Sequence, residues 1–149
     1  TINVDLRDYS RPENVYDALK DYDLIYAIGG NTFNLRQAMK VSGFDVAIND
    51  LLGKGIVYAG ESAGAIVMGS SLKGFETMDS LEEVRGEVVW EGIGLVNKVI
   101  IPHADSRDYK DRVAPLSRQY KDPIILNDNQ AYIVGGDNME IIAGEYLWG

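Results

Sequence analysis

Two continuous apolar runs, Leu24-Ile25-Tyr26-Ala27-Ile28 and Ile56-Val57-Tyr58-Ala59, each stop at a glycine-rich turn that opens a helix. This strand–turn–helix pattern restricts the fold more than any other feature of the chain. An apolar run without polar alternation suits a strand covered on both faces, as inside a parallel sheet. Between the two runs, Asn31-Thr32 signals a helix cap, with Phe33, Leu35, Ala38 and Met39 at core spacing, and a second helical stretch covers 44–52. Upstream, residues 2–6 alternate as a short strand, and Ser10-Arg11-Pro12-Glu13 starts a helix with Ser10 as its cap. Downstream, 69–91 reads as loop, 96–101 as strand, 105–120 as helix and 124–126 as strand. Gly135-Gly136-Asp137-Asn138, between apolar stretches 131–134 and 139–143, reads as a hairpin. The expectation is an α/β fold: a three-layer sandwich around a mostly parallel sheet, with a C-terminal antiparallel hairpin, in one domain spanning 1–149.

Composition narrows the chemistry. A chain of 149 residues that is 46% hydrophobic can bury a core. Cysteine is absent, which excludes disulfide scaffolds, thiolate metal sites and cysteine nucleophiles together. The single histidine, His103, excludes multi-histidine metal sites; a site built from His103, Asp105 and Asp108 is a weak alternative. With 14 basic and 23 acidic residues the net charge is −9, which argues against nucleic acid or an anionic membrane as partner. An acidic substrate would need a local cation. No apolar run approaches the roughly 18 residues of a membrane-spanning helix, and Thr1-Ile2-Asn3-Val4-Asp5 has no leader character. The reading is a cytoplasmic protein, for which a homodimer is compatible.

Gly60-Glu61-Ser62-Ala63-Gly64 fits G-x-S-x-G between a strand and a helix, the setting of a nucleophile elbow. The turn would lift Ser62 to the C-terminal edge of the sheet, where the Ala63 N–H can point at a developing oxyanion. His103 also follows a strand and is expected at the same rim, where it can take and return the serine proton. Asp128, just past residues 124–126, is the leading candidate to orient the imidazole, with Asp105 and Glu61 as alternatives. The Gly29-Gly30 pair lets backbone N–H groups approach a ligand and supply a second oxyanion donor. An esterase of the α/β-hydrolase type would need the order Ser, acid, His, with Asp79 as the acid. A catalytically silent binding module is the non-enzymatic alternative.

Three stretches together, Ile28-Gly29-Gly30-Asn31-Thr32-Phe33-Asn34-Leu35, Gly60-Glu61-Ser62-Ala63-Gly64-Ala65 and Ile101-Pro102-His103, resemble the peptidase E family of serine peptidases. That family includes alpha-aspartyl dipeptidase and is related to cyanophycinase. The resemblance implies a fold like class I glutamine amidotransferases, with serine in place of their cysteine. It implies Ser62 as nucleophile, His103 as base, Gly29, Gly30 and Ala63 as the oxyanion hole, and no cofactor or metal. The family acid, usually Glu, falls in a stretch resembling Asn127-Asp128-Asn129-Gln130-Ala131, which puts Asp128 in that place. The implied partner is a small peptide, such as a dipeptide with N-terminal Asp, with Asn31 and Thr32 beside it. An arginine would pair with the substrate carboxylate. A helix beginning near Asp105 would set Arg107 and Arg112 about 140° apart, so one alone can face the site, and Arg107 is the nearer to His103. The family also carries a strand and helix upstream of the point matched by Thr1, so a sheet edge is expected to lie outside this sequence.

Overall fold

Pro12 determines where the first helix begins. In the computed structural model, which describes residues 1–144, α1 (Pro12–Leu19) starts at that proline. A residue before proline is driven to extended backbone, and Arg11 adopts φ −143°, ψ 137° as the N-cap. Ser10 therefore lies one residue outside the capping position, contrary to the expectation for it. The first segment also departs from expectation. Residues 2–6 form no strand; Leu6–Asp8 is a 3-10 turn in which the Asp5 carboxylate accepts the Arg7 N–H at 2.9 Å. That local bond competes with a ladder, while Val4 and Leu6 still pack on the core.

Strands β1 (Leu24–Ala27) and β2 (Val57–Gly60) pair in parallel, from Leu24↔Val57 to Ala27↔Gly60. The crossover between them consists of α2 (Thr32–Ser42) and α3 (Phe44–Gly53). Ile25, Ala27 and Tyr58 pack against Val15, Leu19, Met39, Phe44, Ile48 and Leu51, which form the first core. The opposite face is bare, contrary to the expected two-sided burial: Leu24, Tyr26 and Val57 are 54%, 56% and 59% exposed, and Ile28 just beyond is 68% exposed. The physical reason is that α1 and α3 both stack on the Ile25–Tyr58 side.

A second core gathers Phe33, Ile66, Leu72, Phe75, Ile101, Val113 and Leu116, with Trp90 edge-on to Phe33 at 5.6 Å. It joins α2 to the short α4 (Ala63–Ile66), to the long loop with its 3-10 turn Phe75–Thr77, and to α5 (Lys110–Ser117). Buried Arg36 pins the end of that loop. Its Nε donates to the Glu91 carbonyl at 2.8 Å, and its guanidinium meets Asp45 at 3.2 Å, which satisfies a charge that burial would otherwise penalise.

Strands β3 (Ile100–Ile101) and β4 (Ile124–Ile125) form a second parallel pair, and β5 (Gln130–Gly135) and β6 (Asn138–Ala143) form the expected hairpin. Among the described residues the ladders are therefore three two-stranded ones. The expected strand 96–101 shrinks to two residues because the backbone before it bonds to the segment that follows α4: Val96 N–H donates to Met68 O, and Lys98 O accepts from Ser70 N–H. The expected helix 105–120 starts only at Lys110, because 104–109 is a series of turns.

Candidate active site

The turn after β2 is shaped by what its glycines touch. A Cβ on Gly64 would lie 3.0 Å from both the carbonyl carbon and the Cβ of Ala27, and closer still to that carbonyl's oxygen. A Cβ on Gly60 would meet the Ala65 nitrogen at 2.8 Å. With both Cβ atoms absent, α4 begins hard against the sheet and Ser62 is pushed to φ 52°, ψ −115°. Tyr58 braces the turn from below, donating its hydroxyl to Gly64 O at 2.7 Å, and burial pushes that phenol well up from its ordinary value. Among the described residues, Ser62 and His103 (φ 67°) are the non-glycine residues at positive φ. Strain of this kind concentrates at functional sites.

His103 leaves β3 beside the chain that leaves β4, because Ala104 N–H donates to Leu126 O and carries the pairing past the strand ends. Asp128 therefore arrives next to the imidazole: His103 Nδ1 and Asp128 Oδ1 are 2.6 Å apart, and His103 Nε2 lies 2.9 Å from Ser62 Oγ. An ionised carboxylate only accepts, so Nδ1 carries the proton and donates to Asp128, while Nε2 accepts from the serine hydroxyl. The base of the hairpin holds the Asp128 turn: Asn127 N–H donates to Gln130 Oε1, and Asn129 exchanges bonds with Gly144. The two other candidate acids are engaged elsewhere. Asp105 accepts the Asp128 N–H at 2.9 Å, and Glu61 accepts the Tyr26 hydroxyl at 2.6 Å, raising that phenol above its usual range.

The first glycine pair faces the serine. A Cβ on Gly29 would stand 3.1 Å from Ser62 Cβ, a tight contact, and 3.6 Å from its Oγ, so a side chain there would press on the serine's Cβ. Among the described residues, the N–H groups of Gly29, Gly30 and Ala63 donate to no acceptor in the chain. Asn31 and Thr32 are taken up by structure. Asn31 Oδ1 accepts from the N–H groups of Phe33 and Asn34, and its amide donates to Ser80 O. Thr32 is buried and its N–H donates to Asp79 Oδ2 at 3.0 Å. That contact places Asp79, the acid an esterase reading requires, on the α2 N-terminus.

Arg107 is exposed, and the helical spacing expected to set it against Arg112 does not exist, since α5 begins at Lys110. The arginine connected to the site is Arg112, whose guanidinium lies 5.8 Å from the centre of the Tyr109 ring; Tyr109 in turn stacks on His103. Tyr109 and Asp105 are contributors that sequence spacing did not reveal in these roles, because their contacts arise from the turns of 104–109. Among the described residues, no group of three histidines and carboxylates is arranged to hold a metal ion, and no helix is long and apolar enough to cross a membrane.

Comparison with known proteins returns one consistent result. The family model described as peptidase family S51 matches residues 4–142. An uncharacterized peptidase of Listeria monocytogenes is 32% identical over 102 residues, which is 68% of this chain and 50% of that protein. An uncharacterized peptidase of Pasteurella multocida is 28% identical, covering 89% of this chain and 65% of its own length. Peptidase E of Shewanella putrefaciens is 25% identical across 95% of this chain. A 1.5 Å crystal structure of a Listeria monocytogenes protein proposed to be a peptidase E superposes with a TM-score of 0.83 and 26% identity, covering 95% of this chain and 69% of that one. The chain spans about half the length of the two Listeria relatives, 50% and 47%.

Proposed function

Because the chain belongs to peptidase family S51, we propose that it is a serine peptidase hydrolysing short peptides through an acyl-enzyme. Ser62 is the nucleophile, His103 the general base and acid, and Asp128 the orienting carboxylate. The observation that carries this reading is the unbroken line from Ser62 Oγ through both imidazole nitrogens to Asp128, at 2.9 and 2.6 Å. Nε2 takes the hydroxyl proton as Oγ attacks the scissile carbonyl carbon. The oxyanion receives N–H bonds from Ala63 and the Gly29-Gly30 turn. The C–N bond then breaks, with the imidazolium proton going to the leaving amine. Water, deprotonated by the same nitrogen, then attacks the acyl carbon; the C–Oγ bond breaks, the imidazolium proton returns to Ser62 Oγ, and the acid leaves. The turn at Ser62 is a nucleophile elbow in this reading, and a three-layer, amidotransferase-like arrangement is the fold that accompanies it.

The reading is tested with a fluorophosphonate probe at neutral pH. The parent protein is expected to label on Ser62, and His103→Ala to lose labelling, since an unassisted serine is a poor nucleophile. Equal labelling of that variant would remove His103 from the chemistry. Among the acids, Asp128→Asn is expected to lower kcat by roughly 10⁴-fold or less, and Asp105→Asn by a smaller factor, because Asp105 reaches the imidazole only through the Asp128 backbone. The reverse order would give Asp105 the orienting role.

The substrate class we propose is the dipeptide with N-terminal Asp. The net charge of −9 disfavours such a molecule at long range, so a local cation must compensate. Arg107 is exposed and forms no ion pair or hydrogen bond among the described residues, which leaves its guanidinium available for a bidentate contact. Asp-Leu is expected to be cleaved faster than Ala-Leu, and Arg107→Ala to erase the difference. If the two dipeptides are cleaved equally, or the preference survives in Arg107→Ala, this specificity is wrong while the hydrolytic reading stands.

A further inference from the structure

We infer that Tyr109 is a positioning residue for His103, an inference that rests on the serine peptidase reading for its effect on rate but not for its geometry. The two rings stack with centroids 5.2 Å apart and an angle of 26° between planes. Tyr109 itself is firmly seated. It caps α5, its carbonyl accepts from Arg112 and Val113 at 2.8 and 3.1 Å, and Val113 and Leu116 anchor that helix in the second core. The Arg112 guanidinium lies within cation–π reach of the Tyr109 ring.

His103 needs such a restraint. It stands in a turn at φ 67°, a backbone conformation that holds only when the surroundings impose it. Its two hydrogen bonds lie in the ring plane and fix the edges of the imidazole, not its faces. Once Ser62 Oγ is acylated it no longer donates to Nε2, and the bond to Asp128 is left as the single in-plane tether. A ring on one tether can swing about that bond. The face of Tyr109 blocks the swing, so Nε2 stays aimed at the position a hydrolytic water must occupy. The stack thus serves deacylation as well as acylation.

Tyr109→Phe keeps the stack; Tyr109→Leu keeps bulk and removes it. Aromatic pairing of this kind corresponds to a rate loss of roughly three- to tenfold when removed. Tyr109→Leu is therefore expected to lower kcat by that factor with KM unchanged, and Tyr109→Phe to match the parent. A rise in KM at constant kcat would make Tyr109 a substrate contact, and an equal loss in both variants would assign the effect to the hydroxyl; either overturns the inference. A second readout is independent of activity. His103 is the single histidine, so its ring protons are identified in an NMR spectrum without assignment of the rest. They are expected to show ring-current shielding in the parent and in Tyr109→Phe, and to lose it in Tyr109→Leu. Absence of fluorophosphonate labelling with the shielding present would sink the peptidase reading and leave the stack; labelling without shielding would do the reverse.

Discussion

Replacement of Ser62 by alanine is expected to abolish hydrolysis and covalent labelling while the protein stays folded. The loss should reach about 10⁶-fold in kcat, the scale on which removal of a serine nucleophile acts. Stability should hardly move, because the hydroxyl's single hydrogen bond is to a half-exposed imidazole. The backbone makes a sharper test available. Ser62 sits at φ 52°, ψ −115°, which costs a side-chain-bearing residue about 1–3 kcal/mol and glycine much less. Ser62→Gly is therefore expected to be as inactive as Ser62→Ala and to be more stable than it by about that free energy, read as a higher midpoint in chemical denaturation. Turnover within tenfold of the parent in either variant would mean that another residue attacks. A Ser62→Gly protein less stable than Ser62→Ala would mean that the turn is not strained.

Gly64→Ala should have the largest effect on stability. The added methyl would stand 3.0 Å from two atoms of Ala27, with the carbonyl oxygen nearer still, and most of what it meets is backbone, which cannot rotate away as a flexible side chain can. To relieve the contact α4 must lift from β1, breaking the Tyr58–Gly64 hydrogen bond and opening the space around Ile66 and Val67 in both cores. A loss of about 3 kcal/mol in chemical denaturation is expected, a large share of the roughly 5–15 kcal/mol that holds a domain together. The position of Ser62 moves with α4, so activity should fall as well. A loss below about 1 kcal/mol would show that the turn relaxes freely.

Much of this arrangement was legible in the chain because its signals are local. The apolar runs ending at Gly29 and Gly60 become β1 and β2, and Asn31 caps α2 through its own side chain. His103 and Asp128 could be placed side by side because each follows an apolar strand of a parallel pair. What stayed hidden depends on partners distant in sequence. Leu24, Tyr26 and Val57 look like two-sided core residues, since nothing in a run of four or five apolar residues says on which side the helices will settle. The shortening of α5 depends on turns at 104–109, where Asp105 bonds to the backbone of Asp128, a residue 23 positions away. Asp79, the acid the esterase alternative needs, accepts the Thr32 N–H at the start of α2. Tyr109 carried no signal, because an aromatic residue at a helix start is common and its stacking partner is set only by the fold.

The tie between Asn129 and Gly144 places the Asp128 turn under the control of the end of β6, at the base of the hairpin. During synthesis Ser62 and His103 leave the ribosome before Asp128, and the Asn129–Gly144 bonds that complete the hold on its turn form only when β6 has folded back on β5. In the proposed reading, a chain made only as far as β5 lacks this tie, and full orientation of the imidazole arrives with β6. On the same reading, a truncation within the hairpin would loosen the site without touching any of its reacting groups.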